Sequence, residues 1–111
     1  MPVIIKPEEM SVHRQGKGWT ETTLADSGAF GSPAMVARHL SFEPNAKGEE
    51  FEHGEYEEML YVIRGSGAAI LGEERFELAP ESLLWLEPGD RCRFEAGPEG
   101  LEILQGYAPG E

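Results

Sequence analysis

The chain has a single cysteine. Cys92 can close no intrachain disulfide and has no companions for a structural zinc site, so it is expected as a free thiol in a reducing compartment, the cytoplasm. Long apolar runs are also missing. Nothing approaches the roughly 20 residues that a membrane-spanning helix needs. The opening "MPVIIK" meets Lys6 too soon to serve as a secretory h-region. Basic charge is scarce: nine Lys and Arg stand against 21 Asp and Glu, a formal net charge of −12. Such a surface repels phosphate backbones and anionic lipid, which sets aside nucleic acid and membrane as partners. No phosphate loop, dinucleotide fingerprint or nucleophile–base pair is present either.

What remains is turn chemistry and short apolar runs. The 111 residues hold 14 Gly and 8 Pro spread along the chain, the pattern of many short strands joined by tight turns. The length suits one domain, read as an N-terminal arm with first strands over 1–33 and a main body over 34–108. Strands are expected over 19–24, 34–43, 50–53, 58–64, 67–71, 75–78, 82–87, 91–95 and 101–107. "LGEE" reads as a hairpin turn, "LEPGD" as a Pro-Gly turn and "ADSGAFGSP" as the longest loop. One short helical turn is expected in "KPEEMSV".

Period-two alternation assigns faces. Within 58–64, Glu58, Leu60 and Val62 share one face, and Met59, Tyr61 and Ile63 share the other. Both faces are largely apolar, so both should be covered, one by the core and one by a second subunit or the N-terminal arm. Within 91–95, Cys92 and Phe94 point inward, opposite Arg91, Arg93 and Glu95. Within 34–43, Arg38 shares a face with Val36, Leu40 and Phe42, while His39 shares one with Met35 and Ala37. Alternation alone leaves open which of these faces the interior. His13 is expected in solvent, Trp85 in the core or an interface, and Glu49, Glu50, Glu52, Glu55 and Glu57 on a solvated acidic rim.

The stretch "HGEYEEMLYVIRGSG", from His53 to Gly67, sets ionisable groups at the mouth of an apolar strand. Glu58, followed six residues on by Gly65, matches the second half of the first cupin motif, and His53 stands at that motif's second histidine, with Phe51 in place of the first. "PESLLWLEPGDRCRFEAG" follows the second cupin motif, with Pro88-Gly89 as its turn, Cys92 where that motif has histidine, and Ala96 where it often has asparagine. "FEPNA", 42–46, is similar to the turn that precedes the first motif. Over roughly residues 34–108 the chain therefore resembles the small single-domain bacterial cupins of the RmlC-like superfamily. The resemblance implies an all-β fold, a double-stranded β-helix or jelly-roll barrel, commonly paired into a homodimer.

It also implies a pocket inside the barrel that takes a small organic molecule. The candidate lining is Phe51, His53, Glu58, Cys92, Phe94 and Gln105, although Gln105 reads equally as an edge position. Family metal sites place imidazoles and a carboxylate in this position, so His53, Glu58 and Cys92 are the candidate ligands of a divalent metal. A thiolate among them favours zinc or iron. Such a centre would imply an enzyme of oxygenase, isomerase or hydrolase type. Against it stands a metal-free pocket, with Glu58 satisfied by His53 or by an inward Arg38 and Cys92 acting as a small buried apolar group.

Overall fold

A computed structural model describes residues 6, 8, 10–25, 36–52 and 56–107, with the backbone alone for Ala25, Phe51 and Glu52. Eight strands account for most of it: β1 (Ser11–Gly16), β2 (Trp19–Ala25), β3 (Val36–Phe42), β4 (Phe51–Glu52), β5 (Glu58–Leu71), β6 (Glu74–Leu78), β7 (Leu83–Leu86) and β8 (Arg91–Tyr107). The sheet runs β1-β2-β3-β8-β5-β6, with β4 also on β8 and β7 also on β5. All pairings are antiparallel. This is the expected all-β jelly roll. Among the described residues no helix is long and apolar enough to cross a membrane.

Two pairs of expected strands are each one continuous strand. Segments 58–64 and 67–71 join as β5, and 91–95 and 101–107 join as β8. Each long strand serves both halves of the barrel. Glu58 to Val62 pair with the C-terminal half of β8 and Glu58 to Tyr61 also with β7, while Gly67 to Ile70 pair with the N-terminal half of β8 and with β6. The change of partner falls at "GSG", where the β5–β8 register shifts. Gly65 has φ 85°, and a Cβ there would collide with the carbonyl oxygen of Gly100. No other residue type fits so close a backbone approach at positive φ.

The turns follow their residue types. Gly72 at φ 63° turns the β5–β6 hairpin, and Gly89 at φ 86° turns "EPGD". There the Asp90 amide donates to the Glu87 carbonyl and the Glu87 amide donates to Asp90 Oδ2. Asn45 takes φ 61° in the "EPNA" turn, a conformation asparagine tolerates. "ADSGAFGSP" lies outside the described residues. At the N-terminus, 11–16 is strand β1, so Ser11 and Val12 of "KPEEMSV" are strand rather than the expected helical turn, and its hairpin with β2 extends the sheet beyond β3. Polar "SVHRQG" carries no alternation strong enough to announce it.

The core is built from Trp19, Leu40, Phe42, Leu60, Val62, Ala69, Leu86, Cys92, Phe94, Leu101 and Ile103, with smaller neighbours. Trp19 stacks on Phe42 at 6.2 Å, and Phe42 meets Phe94 at 5.9 Å, closing one end of the barrel with aromatic packing. The other end carries the polar side chains.

Candidate functional site

Inward-facing side chains form rows across β3, β8 and β5. Arg38, Gln105 and Leu60 are Cα partners in one row. Val36, Tyr107, Glu58 and Leu86 make the next, at the barrel end. Arg38 therefore faces inward, in line with Leu40 at 1 % exposure and Phe42 at 5 %. His39 faces outward, where it meets Glu102 at 3.1 Å beside Arg64. The burial of Leu40 and Phe42 decides the orientation that alternation left open.

Diagonal contacts join the two rows, as neighbouring strands allow. The Gln105 side-chain amide donates to Glu58 Oε1. Arg38 Nη1 donates to the Tyr107 hydroxyl at 3.2 Å, and the guanidinium lies 5.7 Å from the Tyr107 ring centre. Tyr56 stacks on the opposite side chain of this wall, its ring 5.7 Å from Tyr107 and only 9° from parallel. Glu58 and Gln105 are buried, at 1 % and 3 % exposure. Gln105 Oε1 and Arg38 Nε are both out of contact with solvent and have no hydrogen-bond partner. Buried polar atoms left so are uncommon in folded proteins.

Cys92 is fully buried, points inward as expected, and makes a weak 3.7 Å contact to the Arg93 carbonyl. Burial pushes its thiol up to about 12, and the nearby Glu58 carboxylate adds to the effect. Phe94 packs in the aromatic end of the core. His53 lies outside the described residues, and Phe51 is placed by its backbone opposite Cys92. The structure thus brings Glu58, Gln105 and Cys92 to the barrel interior together with Arg38, in the inward orientation that alternation left open, and sets Tyr107 and the exposed Tyr56 at its end. Tyr107 and Tyr56 gave no sequence signal of their own, since each takes its place from strand register or loop path.

A metal was one implied occupant. Among the described residues no group of three or more His, Cys, Asp or Glu side chains could hold one. Glu58 Oε1 already accepts an N–H, and without a metal Cys92 keeps its proton far above neutral pH. Of the three candidate ligands, the described residues place Glu58 and Cys92.

The family model of the AraC-like ligand binding domain matches residues 38–111. The chain belongs to that family. Its fold neighbours are small cupins. KdgF from a Halomonas species aligns with TM-score 0.77 and 16 % identity, covering 98 % of this chain and 96 % of that one. An RmlC-like cupin from Shewanella frigidimarina aligns with TM-score 0.76 and 14 % identity, over 100 % and 94 %. A predicted oxalate decarboxylase from Thermotoga maritima gives TM-score 0.78 and 15 % identity, over 96 % and 98 %. At these identities the likeness shows the fold alone. No sequence match is found among curated proteins. In this AraC-like domain the family match begins at Arg38, the inward arginine of the barrel end.

Proposed function

We propose that this AraC-like cupin domain is a binding module whose small organic ligand sits at the polar end of the barrel, against Arg38, Glu58, Gln105 and Tyr107. One observation carries the reading: Gln105, 97 % shielded from solvent by its 3 % exposure, has an amide oxygen without a partner. A side chain retained only for packing at that position would be apolar, because leaving a buried acceptor unmade costs about 1–3 kcal/mol. Phe51, His53 and Cys92 are proposed as the remaining lining, and the ligand's polar groups complete the hydrogen bonding. The family name, a ligand binding domain, agrees with this.

The test is Gln105→Leu. It deletes the unmade acceptor and also the N–H given to Glu58, so the melting temperature does not decide the matter; the folded variant should lose the response of the barrel-end amide resonances to whatever ligand a thermal-shift screen yields. A folded variant that still binds with the same barrel-end response would overturn the reading.

The outward face of β5 and β7 supports a second element of it, a homodimer. Ile63, Leu83 and Trp85 are 42 %, 59 % and 55 % exposed in the single chain, and register sets Trp85 beside Met59 and Leu83 beside Tyr61. A second subunit over this face would bury them, as the apolar alternation of 58–64 anticipates.

A metal-dependent enzyme using His53, Glu58 and Cys92 with zinc or iron is the competing reading. It would need Cys92 to ionise on binding the metal, from a thiol that burial and Glu58 hold protonated without one.

A further inference from the structure

The chain has six arginines. Five of them meet glutamate: Arg14 with Glu21, Arg64 with Glu102, Arg75 with Glu77 and Glu95, Arg91 with Glu50, and Arg93 with Glu95. Arg38 is the exception among the described residues. In a protein with 21 acidic side chains, its partner is a neutral phenol, and it is the arginine that faces the barrel interior. Its Nε–H is buried and unmatched. Guanidinium keeps its charge in any protein setting and offers its donors as a planar fork. A partly buried cation of this kind needs an anion, and a fork with one arm on Tyr107 presents the other to a flat two-oxygen acceptor.

Gln105 adds the second constraint. Its amide nitrogen is committed to Glu58, so its free oxygen is left as a buried acceptor inside the barrel. Arg38 and Gln105 are cross-strand partners, which sets their side chains about 5 Å apart at Cβ. We propose that the ligand is a small hydroxycarboxylate, its carboxylate held by Arg38 and a nearby hydroxyl donating to Gln105 Oε1. The Tyr107–Tyr56 stack forms the wall beside the carboxylate. This rests on the barrel-end reading above and narrows it to one chemical class. The anion must enter against a net charge of −12, so recognition depends on Arg38, the inward cation among the described residues.

The experiment compares matched pairs that differ in the acid: gluconate against sorbitol, and lactate against 1,2-propanediol, each titrated at tens of millimolar into isotopically labelled protein. The expected result is that at least one acid shifts the amides of β3 and of the C-terminal half of β8. Its neutral counterpart should bind at least about tenfold more weakly. Arg38→Gln should erase the difference, and Arg38→Lys, which keeps charge without the fork, should retain a reduced preference. Equal binding of acid and neutral partner at the barrel end would overturn the anion assignment and leave the pocket standing. Shifts confined to other surfaces would overturn both. No shift from either acid would overturn the hydroxycarboxylate class. A ligand-free measurement is independent of these: Arg38→Met should melt higher than the parent, because the unmatched cation is gone. A lower melting temperature would make Arg38 a structural residue and end the proposal.

Discussion

At the residue scale, two of the inward ionisable groups, Cys92 and Glu58, carry tests of the site. Cys92 is a thiol held up to about 12 by burial first and Glu58 second. It should stay unlabelled by a thiol reagent at pH 8 in native buffer and react at once in denaturant; fast native labelling would mean that 91–95 is turned the other way. Its ordinary value lies near 9. Above that pH the unfolded chain gives up the proton while the folded chain keeps it, so the Cys92 contribution to stability is complete below about 9 and declines between 9 and 12. Cys92→Ala should flatten that alkaline decline in chemical melts. Glu58 gives the sharper discrimination. In a metal-free pocket, Glu58→Gln removes a charge that the apolar surroundings disfavour, so melting temperature should hold or rise, and EDTA should change nothing. His53→Ala should cost on the order of 1–3 kcal/mol by leaving that carboxylate less well satisfied. A fall in melting temperature with Glu58→Gln, reproduced in the parent by EDTA, would reinstate the metal.

At the element scale, the two long strands depend on glycines where they change partners. Gly65→Ala places a methyl against the Gly100 backbone at φ 85°, a strain of about 2–3 kcal/mol that the paired strands cannot relax. Gly72→Ala meets nothing within 4 Å at φ 63°, so it should cost only about 1 kcal/mol for the left-handed conformation. Denaturant midpoints of the two variants should therefore differ by more than their shared positive φ accounts for. Equal midpoints would mean that the β5–β8 crossing yields easily. The same crossing explains why four expected strands are two. Turn-forming residues lie at 65–67 and 97–100, and local chemistry alone reads them as breaks. Strand pairing on both sides carries the backbone through.

At the scale of the whole molecule, the question is what covers Ile63, Leu83 and Trp85. Sedimentation equilibrium at micromolar concentration should return twice the chain mass, and Leu83→Arg together with Trp85→Arg should return the chain mass with the barrel intact by circular dichroism. A monomeric parent would leave this face for another partner. Trp85 was expected in the core or an interface, and within one chain it is not core: its side chain is 55 % exposed, with its ring nitrogen 3.4 Å from Glu57.

The order of residues alone determined the fold class, the inward parity of Glu58, Cys92 and Phe94, and the turns at 72–73 and 88–89, because alternation and turn chemistry are local. The match of "EMLYVIRGSG" to a cupin motif depended on the same local spacing. Tertiary structure decided the rest. Arg38 faces inward because Leu40 and Phe42 must be buried against β8, and nothing within β3 states that. Gln105 is a buried residue, rather than an edge one, because β8 is central between β3 and β5. Tyr107 reaches Arg38 only through the register of strands 69 residues apart in the chain. Polar residues far apart in sequence carry no mutual pattern, so their meeting is a property of the closed barrel.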